Sequence, residues 1–210
     1  MKRILALMLT LVLLTLSVSG CGTANTKPSV LDLSKCRTER LDPVDYETNY
    51  VQIELECGAY IVIELYPDIA PITVANFKKL VSENFYDGII FHRVINGFMI
   101  QGGDPEGTGM GGSAERIKGE FASNGVANPI SHTAGVVSMA RRGNDNDSAS
   151  SQFFIMHKTA THLDGDYAAF GKVWRGIETV NQIAAVPTDS NDKPINPVVI
   201  KTISFVEIPA

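Results

Sequence analysis

Period-two alternation broken by glycine constrains this chain more than any other feature. Val51, Ile53 and Leu55 alternate with Gln52, Glu54 and Glu56, Cys57-Gly58 interrupts, and Ile61, Ile63 and Leu65 alternate again. Successive side chains of a strand point to opposite faces, so the pattern predicts two half-buried strands joined as a hairpin. Short apolar runs separated by glycine follow at 89–100, 135–140, 152–156 and 168–173, and a β-branched stretch over 198–208 reads as a closing strand. Only two segments carry helical spacing. Val74, Phe77, Leu80 and Val81 share one face between Pro71 and Gly88, and Ile177, Val180 and Ile183 mark a short helix around 178–184. Many short strands with two helices predict a mostly antiparallel β-barrel rather than alternating β-α-β units.

The first 20 residues read as an address. Lys2 and Arg3 precede 13 residues, 4–16, of Leu, Ile, Val, Ala, Met and two Thr. At 1.5 Å per residue the run is too short to span a bilayer as a helix and has the length of a signal-peptide core. Val18-Ser19-Gly20-Cys21 then resembles the lipobox of bacterial lipoproteins, in which the cysteine is lipidated and becomes the first mature residue. Two acyl chains on Cys21 anchor stably where one is marginal, so the expectation is a protein tethered to the bacterial cell membrane on its extracytoplasmic side. Residues 21–46 lack a sustained period and read as lipidated terminus and tether, leaving 47–210 as one folded domain.

Charge removes one class of partner. The chain carries −5, and losing Lys2 and Arg3 with the leader takes it to −7, which is no nucleic-acid footprint. The glycines over 102–112 mimic a phosphate loop but lack the Lys-Ser/Thr pair, and read as a surface loop. Cys36 and Cys57 can pair in an oxidising compartment, closing a loop of about 20 residues for roughly 3 kcal/mol, or remain free thiols; both readings stay open. Neither lies in a CxxC, and His92, His132, His157 and His162 show no metal-ligand spacing, so no metal is expected.

Residues 91–104, FHRVINGFMIQGGD, resemble the cyclophilin signature, and 150–155 (SSQFFI) and 163–173 (LDGDYAAFGKV) resemble that family's next two blocks in order. Residues 70–77 (APITVANF) and 135–141 (GVVSMAR) also match, so the resemblance covers about 47–207. It implies a closed eight-stranded antiparallel β-barrel capped by two α-helices, a groove on the outside of the barrel, and peptidyl-prolyl cis/trans isomerase activity without a cofactor.

The chemistry of that reaction suits the residues. Rotation about an X-Pro bond faces a barrier near 20 kcal/mol because the nitrogen lone pair is delocalised into the carbonyl. A catalyst need only favour the twisted nitrogen, and an arginine aimed at it does so because its hydrogen bond strengthens as the lone pair localises. By resemblance that arginine is Arg93. Phe98, Met99, Phe154 and Leu163 would form the proline slot, Gln101 and Gln152 would hold the arginine and the substrate backbone, and Ala140 and Arg141 would edge the groove, pairing with an extended peptide. His92 is given a structural role, since no proton is transferred. The chain departs from many eukaryotic relatives in three places. His162 stands where those have Trp, Tyr167 replaces a pocket His, and Arg141 replaces a groove-edge Asn, adding positive charge that favours acidic residues near the proline. The expected partners are proline-containing peptides and unfolded exported proteins, met by a monomer. The competing class is a non-enzymatic cyclophilin-like peptide-binding module or holdase; intact Arg93, Phe98, Gln101 and Phe154 favour catalysis.

Overall fold

The hairpin forms where the alternation places it. In the computed structural model, which describes residues 31–209, β1 (Tyr50–Leu55) and β2 (Tyr60–Leu65) pair antiparallel, with Val51 opposite Ile63 and Ile53 opposite Ile61. Gly58 turns the chain with φ of 85°, a left-handed conformation that glycine reaches without a Cβ clash. Six further strands follow: β3 (Arg93–Ile95), β4 (Met99–Gly102), β5 (Val136–Met139), β6 (Phe153–Met156), β7 (Ala169–Arg175) and β8 (Ile200–Phe205). The two helices are α1 (Pro71–Ser82) and α2 (Ile177–Ala184).

All eight strands belong to one antiparallel sheet in the order β3-β4-β6-β5-β7-β2-β1-β8, curled into a half-barrel. The expected closed barrel is therefore corrected: β3 and β8 are edges with no ladder between them. The seam carries an isolated bridge between Ile90 and Val199, flanked by Phe91 N–H donating to the Val198 carbonyl at 3.0 Å, Ile200 N–H to that of Ile89 at 2.8 Å and Gly88 N–H to that of Ile200 at 2.8 Å. Pro194 and Pro197 have no N–H to extend pairing on the approach to β8, and Gly88, at φ 76°, bends the chain ahead of β3.

The concave side holds the main core. Val51, Ile53, Ile61 and Ile63 meet Phe153, Phe170 and the α1 face of Val74, Phe77, Leu80 and Val81, all 4% exposed or less. The start of α1 has no side-chain cap of its own at Ala70; the buried carboxylate of Glu120 accepts from Ile72 N–H, Thr73 N–H and the Thr73 hydroxyl at 3.0, 2.8 and 2.7 Å. Those orphan helix donors are thereby satisfied from 47 residues away.

The outer face of β1 is covered, although its polar residues predict exposure. Gln52 is 1% exposed, its side-chain oxygen accepting from Leu41 N–H at 2.8 Å and its amide donating to the Leu41 carbonyl at 3.3 Å. Leu31 and Leu41 are buried, Tyr60 N–H donates to the Arg37 carbonyl at 2.8 Å, and Pro43 bridges to Val206. Within the stretch read as a tether, residues 31–46 thus pack on the sheet, because unsatisfied backbone groups beside β1 and β2 find partners there. The leader, Cys21 and the rest of the tether lie outside the described residues. Cys36 and Cys57 carry free thiols, both half-buried against the core. Burial, then the neighbouring Cys57, pushes the Cys36 thiol up.

Candidate active site

Two adjacent rows across β3, β4, β6 and β5 separate core from site. Val94, Ile100, Ile155 and Val137 are cross-strand neighbours, each 2% exposed or less, on the concave face. One residue along, Arg93, Gln101, Phe154 and Ser138 form the matching row on the opposite face. A period of two places these groups outside the barrel even where they are buried. Met99, Phe154, Met156, Ala160 and Leu163 build a second apolar cluster there, bordered by Phe98, Ala140 and Tyr167 and separate from the main core.

Over this cluster lies a groove of about 330 Å³ whose lining includes Arg93, Phe98, Met99, Gln101, Phe154 and Leu163, with Ala140, Arg141 and Tyr167 also contributing. The four expected slot residues therefore converge, and of the other expected site residues two lie elsewhere. His162 is exposed and stacks on Phe98, centroids 5.9 Å apart, without itself lining the groove. Gln152 lines a neighbouring hollow instead.

The arginine itself is 45% exposed in its side chain, with Nε 3.6 Å from the Asp192 carboxylate. Gln101, its cross-strand neighbour, donates instead to the Gln152 side chain at 2.8 Å, and Gln152 donates to the carbonyls of Gly109 and Gly111 at 3.1 and 2.7 Å. Among the described residues no hydrogen bond joins Gln101 to Arg93, whose loose ion-pair partner is Asp192, on a loop 99 residues further along whose backbone carbonyl also accepts from Val94 N–H at 2.8 Å. Arg141 is spent locally: Nε donates to the Asp166 carbonyl at 2.8 Å, Nη1 to those of Arg142 and Gly143, and the guanidinium lies over Tyr167 and Phe121.

Three groups beneath the groove escape sequence reasoning because only the curl of the sheet joins them. His132, fully buried, stacks on Phe154 with ring planes 20° apart; its Nδ1 lies 2.9 Å from the Asp164 carboxylate and its Nε2 3.1 Å from the Ser138 hydroxyl. Serine, histidine and carboxylate in that order suggest a nucleophile, yet Ser138 has no exposed surface to offer a substrate. Their effect is to fix the ring face of Phe154 against the edge of Tyr167, centroids 5.8 Å apart. Burial holds His132 below the usual histidine range although Asp164 opposes it.

His92 also lines the groove, 5% exposed, with neither ring nitrogen hydrogen-bonded among the described residues, and burial pushes its pKa down. The adjoining glycine loop is wound round Asp104, whose carboxylate accepts from the N–H groups of Glu106, Thr108 and Gly109 at 2.8, 2.9 and 2.6 Å. Burial raises the Asp104 pKa, but these donors overcome it and hold the carboxyl below its ordinary range.

Comparison with known proteins assigns the whole folded region to one family. Residues 50–205 fit the family model described as cyclophilin type peptidyl-prolyl cis-trans isomerase/CLD. The chain belongs to the cyclophilin family. This cyclophilin is 53% identical over 124 residues to peptidyl-prolyl cis-trans isomerase B of Bacillus subtilis, covering 59% of the chain and 82% of that relative. It is 43% identical over 157 residues to the isomerase ppi1 of Schizosaccharomyces pombe, covering 74% and 98%. Its fold superposes on a cyclophilin from Cryptosporidium parvum with a TM-score of 0.71 at 34% identity, over 77% of this chain and 99% of that one; the same parasite protein was crystallised in the presence of the dipeptide Ala-Pro. The cyclophilin assignment makes the chain a peptidyl-prolyl cis-trans isomerase.

Proposed function

We propose that Arg93 accelerates X-Pro rotation by stabilising the twisted, pyramidal prolyl nitrogen, and that the substrates are exported proteins met at the outer face of the membrane. The carrying observation is the placement of one guanidinium, half exposed and held among the described residues by a loose contact to Asp192, beside the slot of Phe98, Met99, Phe154 and Leu163. The slot takes the proline ring, and the extended edge at Ala140 pairs with the peptide backbone. With the imide twisted, the localised lone pair accepts from the guanidinium, an interaction weaker in the planar ground state. Lowering the barrier by roughly 7 kcal/mol speeds rotation about 10⁵-fold, with no proton transferred and no bond broken. His92, with neither ring nitrogen hydrogen-bonded among the described residues, is placed in the wall to meet a peptide polar group.

The location outside the cytoplasm is supported by the leader and by Cys21 following small residues, which together suit a diacyl anchor. Prolyl isomerisation takes tens of seconds unassisted, so a tethered monomeric isomerase would serve exported chains as they fold. Exchange NMR on a proline peptide tests the chemistry: Arg93→Ala should lose about 10²- to 10³-fold in kcat/KM with the fold intact by circular dichroism. Equal rates for the two proteins would remove the arginine from the mechanism. Palmitate labelling of cells tests the anchor, with label expected on the wild type and absent from Cys21→Ala.

A further inference from the structure

A second hollow, about 410 Å³, continues from the groove and shares Gln101, Ala140 and Arg141 with it. Its lining carries three guanidinium groups, Arg116, Arg141 and Arg142, and not one carboxylate. In a chain whose formal charge is −5, this is a local reversal of sign. The three arginines are differently engaged. Arg141 is committed to backbone carbonyls and aromatic faces. Arg116 makes only a loose contact, 3.6 Å, with Asp145, both side chains about half exposed. Arg142 is exposed, its backbone N–H fixed by the Ser148 hydroxyl at 2.8 Å, and no side-chain hydrogen bond or ion pair engages its guanidinium among the described residues. Two other acids, Asp104 and Glu106, lie against Gly111 without lining the hollow, and the Asp104 carboxylate is taken up by the backbone N–H groups of its own loop.

We infer that this hollow is a subsite for an acidic side chain on the substrate, Asp or Glu, lying within three residues of the proline. The inference rests on the isomerase reading of the adjoining groove and names the substrate class that groove prefers. Because the two cavities share a wall, an extended peptide with its proline in the slot, advancing about 3.3 Å per residue, brings a neighbouring side chain over the hollow. A carboxylate there meets the free Arg142 fork and draws Arg116 from Asp145, both groups suited to bidentate contact. A lysine at the same place meets only like charge.

The test is exchange NMR with peptides carrying Glu, Gln or Lys at each of the three positions on either side of a central proline. At one position the Glu peptide should exceed the Lys peptide by about tenfold in kcat/KM at low ionic strength, shrinking toward unity in about 1 M salt as screening shortens to a few ångströms. The double variant R116E/R142E should invert the ratio. A ratio near one at every position, or a preference unchanged in the double variant, overturns the subsite. The Gln peptides separate the two claims: if the wild type does not speed them beyond the spontaneous rate, the isomerase reading fails. Chemical-shift titration with the same Glu and Lys peptides then decides the subsite by affinity alone.

Discussion

Asp192 and a substrate proline compete for the same guanidinium. The carboxylate sits 3.6 Å from Arg93 Nε, close enough to orient the side chain and far enough to leave the fork's other donors free. Both groups are about 45% exposed, so solvent screens the pair and its contribution to stability is small. The carboxylate's larger effect is to dilute the positive potential at the prolyl nitrogen. Asp192→Asn should therefore raise kcat/KM by up to about fivefold while leaving the unfolding temperature within a degree or two. Arg93→Lys should fall about 10²-fold, because a compact ammonium cannot hold the planar geometry of the fork. Steady-state rates of the two variants on one peptide check both, and a fall in Asp192→Asn would make the carboxylate a positioning group.

At the level of elements, α1 depends on a residue that its own sequence does not reveal. Glu120 supplies three hydrogen bonds to Ile72 and Thr73 at the helix start while only 2% exposed. Glu120→Ala leaves those donors buried without partners and should destabilise the protein by about 2 to 3 kcal/mol, lowering the unfolding temperature by roughly 4 to 12 °C. Calorimetry measures it, and an unchanged midpoint would show the cap to be dispensable. The hairpin, α1 and the closing strand are legible in the sequence because their signals are local, a period of two or of 3.6 residues with glycine and proline as punctuation. The cap, the His132–Asp164 contact and the Asp192 contact are not, because each joins segments 20 or more residues apart that only the curled sheet brings together. The slot residues Phe98, Met99, Phe154 and Leu163 were legible only through family resemblance, since an apolar residue in a strand looks the same whether it faces core or groove. For the same reason neither the placement of His162 outside the groove nor the open seam between β3 and β8 could be read locally.

Taken whole, the molecule is stabilised in ways that make it sensitive to acid and to loss of its N-terminal segment. Burial lowers the pKa of His92, His132 and His157, against the pull of Asp104 on the first and Asp164 on the second, and with Lys158 adding to the effect on the third. A folded pKa below the unfolded value of 6.5 means that the unfolded chain binds more protons; the stability these groups contribute is full above about pH 6.5 and is lost as pH falls through the folded values. Unfolding temperature should thus decline from pH 7 to 5, and His132→Asn should flatten that slope; a slope unchanged in the variant would assign it elsewhere. The segment 31–46 matters for a different reason. Leu31, 4% exposed, joins the main core, while Leu41, 8% exposed, and the Gln52 bonds cover the outer face of β1 and β2. Burying two leucines contributes about 3 to 5 kcal/mol at most. A protein beginning at residue 47 should melt about 6 to 20 °C below one beginning at residue 31. Its kcat/KM at low temperature should be preserved, because β1 and β2 contribute no residue to the groove. Equal melting temperatures would return residues 31–46 to the status of a tether; a matching loss of activity would instead couple that outer layer to the site through the sheet.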